Sequence, residues 1–434
     1  MRIGYIHATN HHDSHCWPSL AFGYLKSYLH KHIGDAVSME RVTAHGPQKF
    51  DVIAISAASQ DYNQAKWIAR KVKEQSPSVL VVLGGSHVTW LPETMTQDFD
   101  FGVMGEGEQT FLELVMVLMD GGGHHLINGM AGHDGRGGWG INPPRQPIEP
   151  LDLIPPPHRD QCDDQHIFTS RGCPYRCRFC SSSAFWGKTR FHSAEYVVDE
   201  IEHLVSTGTK YIPFMDDLFI LDRKRFVNIM EGIRRRGLDR KFGTKISVRT
   251  NLVDDELCTL IKEFPQIGSV HFGVESGSDR ILKLIGKGVT VAQNQEAIDR
   301  LHAAGIQMGH SYIVGWPSET EEELMTTIEF VQRNILEGKS DHISPLNILT
   351  PHPGTEVWND AVRTGQIDVA TFDWGRLGIF ASHWASRVKN FDAWLDVRRK
   401  NDSIYLNEDS VPQERLYEIL REHEIAVVDI VREG

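Results

Sequence analysis

Ser170-Arg171-Gly172-Cys173-Pro174-Tyr175-Arg176-Cys177-Arg178-Phe179-Cys180 sets three cysteines in the spacing CxxxCxxC, with no other cysteine within ten residues. Three thiolates can hold a cubane [4Fe–4S] cluster and leave its fourth iron without a protein ligand; such an open position is where a substrate or cofactor binds a metal. A cluster that only carries electrons takes four cysteines, so the missing ligand predicts a cluster built to react. The alternative is a structural zinc site completed by His166 or His192, although zinc loops usually pair two CxxC-type halves across a longer spacer.

Working outward, 165–170 reads as a short strand. Beyond the cysteines, Ser193 reads as the cap of a helix with Val197, Val198, Ile201, Leu204 and Val205 at helical spacing. Strands are expected near 166–170, 211–215, 243–249, 269–274, 307–314 and 342–349, with helical patterns between them. That alternation predicts parallel βα units, with ligands at the carboxyl ends of the strands. At those ends stand Phe214-Met215-Asp216-Asp217, Gly273-Val274-Glu275-Ser276-Gly277, Tyr312-Ile313-Val314-Gly315-Trp316-Pro317-Ser318-Glu319-Thr320 and Thr350-Pro351-His352-Pro353-Gly354-Thr355.

Together with the cysteines, these stations resemble those of the radical S-adenosylmethionine (SAM) superfamily. The resemblance implies a partial (β/α)6 barrel over 161–360, in which Cys173, Cys177 and Cys180 bind the cluster and SAM chelates the open iron. It implies a SAM set of Phe179, Asp216, Asp217, Arg249, Glu275, Ser276, Ile313 and Gly315. Asp216 and Asp217 resemble the station facing the amino group, Arg249 is placed to meet the carboxylate, Glu275 resembles the residue near the ribose, and 313–315 resembles the adenine wall. The strand-five signature departs in having Ser311 where glycine is usual. The chemistry implied is reductive cleavage of SAM to a 5′-deoxyadenosyl radical, with an electron donor such as flavodoxin or ferredoxin and a small-molecule substrate, a natural-product or cofactor intermediate. No residue is singled out as catalytic.

Before the barrel, 3–7, 52–56, 79–83 and 101–104 read as buried parallel strands, with helices at about 18–32, 62–75 and 108–119. The pattern predicts an α/β, doubly wound Rossmann-like domain over 1–120, binding ligands beyond its strand ends. Leu83-Gly84-Gly85-Ser86-His87 and Met104-Gly105-Glu106-Gly107-Glu108 resemble the cobalamin-binding domain fused to one branch of the same superfamily. That resemblance implies cobalamin at Ser56, Gly84, Gly85, Gly105 and Glu106, with His15 of Asp13-Ser14-His15 as a lower cobalt ligand, although Pro18 stands where the usual signature has glycine. With cobalamin, C-methylation of an unactivated carbon is expected; without it, the domain is scaffold and a dehydratase, lyase or rearrangement is the alternative.

Nine glycines between 121 and 140, followed by Pro155-Pro156-Pro157, predict a linker over 121–160. A mainly helical region over 361–434, with a helix from about Pro412 to Val431, is expected to cap the barrel mouth, and its Trp374, Trp384 and Trp394 read mainly as core. A net charge of −13 argues against general nucleic-acid binding. No apolar run long enough to span a membrane and no signal sequence are evident, which predicts a cytoplasmic protein. Cys16, Cys162 and Cys258 are too scattered for a second cluster or a disulfide framework.

Overall fold

The computed structural model describes residues 1–9, 20–42, 46–121, 127–133, 139–159, 165–340, 346–377 and 391–423. The expectations placed on His15, Cys16, Cys162 and Trp384, and on helix beyond residue 423, lie outside the described residues. The chain divides into two compact units, Met1–Gln165 with Asp368–Gly375, and His166–Ile367 with Arg376–Gly434.

The first unit runs β1 (Arg2–His7), α1 (Leu20–Ile33), β2 (Ser38–Arg41), β3 (Val52–Ser56), α2 (Tyr62–Gln75), β4 (Leu80–Gly84), α3 (Ser86–Trp90), β5 (Phe101–Val103), α4 (Gly107–Asp120), β6 (Met130–His133) and β7 (Trp139–Ile141). The seven strands form one sheet in the order β2-β1-β3-β4-β5-β6-β7. The first five are parallel, with Ile3 opposite Val52, Val52 opposite Leu80 and Val82 opposite Phe101. Their runs are apolar rather than alternating because both faces are covered: Val52, Ile53, Ala54 and Ile55 are all buried. The chain steps from β1 to β2 on one side and then to β3 on the other. This reversal opens a crevice beyond the carboxyl ends of β1 and β3.

Two features differ from the sequence reading. The stretch expected as a linker contributes β6 and β7, an antiparallel extension in which Phe101 stands opposite Gly132 and Ala131 opposite Ile141. Gly132 serves packing here, since a Cβ on it would stand 3.3 Å from the Phe101 ring. The second feature is 368–375, expected in a cap over the barrel but packed into the first unit. Trp374 is buried edge-on to His87, at 4.6 Å between centroids, and Asn63 Nδ2 donates to Asp373 at 2.6 Å. His87 stacks on Tyr62 and meets Ser59 and Thr94 through its two ring nitrogens.

The second unit comprises β8 (Ser170–Arg171), α5 (Ser181–Trp186), β9 (Arg190–Phe191), α6 (Ala194–Ser206), α7 (Arg223–Arg235), β10 (Thr244–Ser247), α8 (Asp255–Glu263), β11 (Ile267–Glu275), α9 (Asp279–Leu284), α10 (Val291–Ala303), β12 (Met308–Val314), α11 (Glu321–Leu336), β13 (Leu346–Ile348), α12 (Glu356–Arg363), α13 (Phe391–Lys400) and α14 (Gln413–Glu422). A parallel sheet β10-β11-β12-β13 is continued by bridges from Tyr211 to Gly243 and from Ile167 to Phe214. The first two expected strands are thus extended segments held by single bridges, because β8 leaves the barrel to pair antiparallel with β9. Ile246, Val270, Phe272, Val274, Tyr312 and Val314 pack with the surrounding helices in one apolar core, whereas Ser247, His271, Ser311 and Ile313 alternate with them and stay half-exposed.

Helix starts follow local chemistry. Ser193 accepts the Tyr196 N–H, and Thr290 and Thr320 form capping boxes with Gln293 and Glu323. Leu395, Leu416, Ile419 and Leu420 bring α13 and α14 into the same core. Among the described residues no helix is long and apolar enough to cross a membrane.

Candidate cofactor site

Cys173, Cys177 and Cys180 are free thiols around one cavity of about 350 Å³, which Tyr175, Arg178, Ser183, Gly354, Thr355 and Glu356 also line. Burial pushes the Cys173 and Cys180 thiols up, and the Asp217 carboxylate acts in the same direction. A metal replaces the proton on such thiols. His166 and His192 do not line the cavity, and among the described residues no three His, Cys, Asp or Glu side chains close around a single metal ion. The donor set is three soft sulfurs facing an open space, which fits a cluster with one uncommitted iron.

Arg249 reaches this loop. Its guanidinium lies 3.7 Å from the centroid of the Tyr175 ring, and Nη1 donates to Cys177 Sγ at 3.8 Å. Asp217 accepts from Ser182 Oγ at 2.5 Å and from the Gly172 N–H, and burial raises its pKa. Phe179 meets Trp316 edge to face at 5.6 Å, and Trp316 Nε1 donates to the Ile313 carbonyl at 3.0 Å, so the cysteine loop is tied to the end of β12. Gly315, at φ 77°, donates its N–H to Glu319 at 2.6 Å.

Three residues of the expected SAM set are committed elsewhere. Asp216 is buried beneath the loop and accepts from the Thr169 N–H at 2.6 Å, the Ser170 N–H at 3.0 Å and the Thr169 hydroxyl. A carboxylate so enclosed braces the start of the cysteine loop. Ser276 is fully buried, meeting the Thr327 hydroxyl and accepting the Ser278 N–H. Glu275 is paired with Lys287 at 2.7 Å, with both side chains less than a tenth exposed. Sequence reasoning passed over Lys287, Glu319 and Arg178. Only Arg178 carried a signal, its place between two cysteines.

In the first unit, Ser56, Gly84 and Gly105 lie at or just beyond strand ends, and the space beside both glycines is open: a Cβ on Gly84 would find its nearest neighbour at 4.0 Å, and one on Gly105 none within that distance. Glu106 is the cap residue of α4. This opening fits a bulky ligand reaching the backbone. Gly85 does not share it. At φ 103° its Cβ would stand 2.5 Å from the Ala57 carbonyl oxygen, so its bareness serves backbone packing against the end of β3.

Residues 167–331 match the Radical SAM superfamily and residues 7–115 the B12 binding domain. The chain is 36% identical over 339 residues to an uncharacterized methyltransferase of Pyrococcus horikoshii, covering 75% of this chain and 72% of that protein. It is 29% identical over 371 residues to the anaerobic magnesium-protoporphyrin IX monomethyl ester cyclase of Rubrivivax gelatinosus, covering 76% of this chain and 66% of that one. The radical SAM methyltransferase TsrM from Kitasatospora setae, solved with cobalamin and a [4Fe–4S] cluster bound, shares the fold with a TM-score of 0.70 at 18% identity, over 84% of this chain and 75% of that chain. The chain therefore belongs to the radical SAM superfamily, in the branch with a B12-binding domain, whose cofactors are S-adenosylmethionine, a [4Fe–4S] cluster and cobalamin.

Proposed function

We propose that this enzyme transfers a methyl group to an unactivated carbon of a small-molecule substrate. The observation that carries the reading is the pairing, in one chain, of three free thiols around an open cavity with a B12-type sheet whose strand ends leave space at Gly84 and Gly105. The relative named as a methyltransferase supports it. When bound, the cluster with SAM supplies a hydrogen-abstracting radical, and cobalamin supplies a methyl carrier.

The chain's own residues bind and orient. Cys173, Cys177 and Cys180 hold the cluster, and Arg249 places positive charge beside Cys177, where it can also meet a carboxylate. Asp217 presents a carboxylate at the start of the loop for the SAM amino group. Phe179 and Ile313 offer apolar wall for adenine, while Gly315 gives room to Tyr405, whose ring would stand 2.8 Å from a Cβ there. Ser56, Gly84, Gly105 and Glu106 border the cobalamin cleft. Asp216, Ser276 and Gly85 act through folding. The chain is read as cytoplasmic, with a flavodoxin or ferredoxin as electron donor.

The test is anaerobic reconstitution with iron, sulfide and hydroxocobalamin, followed by cobalt analysis and product assay with candidate substrates. About one cobalt per chain, with both S-adenosylhomocysteine and 5′-deoxyadenosine formed in the presence of substrate, supports methyl transfer. The similarity to the Rubrivivax gelatinosus cyclase favours one second reading, ring closure without methyl transfer. In that case 5′-deoxyadenosine forms and S-adenosylhomocysteine does not.

A further inference from the structure

The barrel of the second unit is open. Backbone pairing runs from Ile167 through Phe214 and Tyr211 to β10, β11, β12 and β13, and among the described residues no bridge joins the Ile167 segment back to β13. The cofactor cavity spans this seam: the cysteine loop, which follows the first strand, makes one wall, and Gly354, Thr355 and Glu356, which follow the last, make the other.

Arg178 bridges the gap with its backbone and its side chain. Its N–H donates to the Ile285 carbonyl at 3.0 Å, and its own carbonyl accepts from Val357 at 3.3 Å. The guanidinium reaches in three directions: Nε to Glu356 at 2.9 Å, Nη2 to Asp360 at 2.5 Å and Nη1 to the Leu284 carbonyl at 3.3 Å. One residue between two cluster cysteines thus joins the turn after α9 to the first turns of α12.

Glu356 and Asp360 are well exposed, at 64% and 42% of their side-chain surface. Ion pairs of that kind contribute only about 0–1 kcal/mol to global stability. What they fix is geometry, because a planar guanidinium held at all three nitrogens has few orientations left.

We propose that Arg178 is a positioning residue for the cofactor site: it clasps the cysteine loop to α12 across the open seam and sets the width of the cavity in which SAM meets the cluster. This rests on membership of the superfamily and is independent of methyl transfer, so the test uses neither substrate nor cobalamin. The full-length protein with its cluster reconstituted is compared with Arg178→Ala, Arg178→Lys and the double variant Glu356→Gln/Asp360→Asn. The readouts are iron and sulfide per chain, the electron paramagnetic resonance spectrum of the reduced cluster with and without SAM, and the SAM concentration giving half of the spectral change.

The double variant is expected to keep its iron, to need about tenfold more SAM, corresponding to about 1.4 kcal/mol, and to give an altered SAM-bound spectrum. Arg178→Ala should do the same, and Arg178→Lys should recover part of the loss, since an ammonium reaches one carboxylate but cannot fork to two. Wild-type SAM affinity and spectra in the double variant would overturn the proposal. Should Arg178→Ala fail to hold a cluster, Asp360→Asn measured alone decides, because Asp360, unlike Glu356, does not line the cavity; wild-type SAM affinity and spectra in that variant would overturn the proposal.

Discussion

Glu275 and Lys287 form a buried ion pair, Nζ to Oε1 2.7 Å, across the bare backbone of Gly273. A Cβ on Gly273 would stand 1.8 Å from Oε1, so the glycine makes room for the carboxylate. Glu275 has φ 72°, a region that costs a non-glycine residue about 1–3 kcal/mol. The pair therefore holds a strained backbone at the end of β11, where its ladder to β12 shifts register between Gly273 and Glu275.

Removing the cation should expose both costs. Lys287→Met leaves a buried carboxylate without its partner, and a loss of about 3–5 kcal/mol is expected. Chemical denaturation of the purified protein measures it. A loss under 1 kcal/mol would mean that water reaches Glu275 and that the pair is not holding the strand end.

The cluster assignment predicts that the triple variant Cys173→Ala/Cys177→Ala/Cys180→Ala retains no reconstituted iron and sulfide, lacks the broad visible absorption of a cluster, and does not cleave SAM. It should remain folded by circular dichroism, because all three thiols line a cavity and none of the three residues is fully buried. Full iron content in this variant would refute the assignment.

The two glycines after β4 should behave differently. Gly84→Leu fills open space and is expected to leave the fold intact while lowering bound cobalt severalfold. Gly85→Ala meets the Ala57 carbonyl in a left-handed conformation and should cost about 1–3 kcal/mol whether or not cobalamin is present. Cobalt content and thermal unfolding, measured on both variants, separate the roles; a Gly84→Leu protein with normal cobalt would remove Gly84 from the cleft.

Glu319 should make stability depend on pH. Burial pushes its carboxyl up to about 7, against the N–H donors of Gly315 and Trp316, which favour the charged form. The folded protein therefore binds this proton more tightly than the unfolded chain does. The contribution is present below the unfolded value of 4.5 and is lost as pH rises toward 7. At full ionisation the loss is at most about 3.5 kcal/mol, from about 1.4 kcal/mol per unit. Glu319→Gln removes this titration, so the stability difference between wild type and variant should change between pH 5 and 8. Parallel pH profiles would show that the carboxyl ionises freely.

The comparison of sequence with structure turns on particular residues. The runs at 52–56 and 267–275 are legible as strands because burial on one or both faces selects the side chains along them, and Ser193 marks a helix start because a cap acts within three residues. The CxxxCxxC loop is legible because its ligand set is contiguous. Asp216 and Asp217 are adjacent and alike in sequence, yet one is locked on Thr169 and Ser170 and the other stands beside the cysteines. Nothing local separates them, since successive residues of an extended segment point to opposite sides and the chain path decides which side carries the site.

The sequence by itself determined most element types, the two α/β architectures and the spacing of the three cysteines, all properties set by periodicity or by residues within a few positions of one another. Only the tertiary structure decided that Gly85 packs on Ala57, that Trp374 returns to the first unit, that Glu275 is spoken for by Lys287 and that Arg178 joins Asp360 across 182 positions of chain. Such contacts depend on how distant segments are brought together, and side chains alone do not encode that distance.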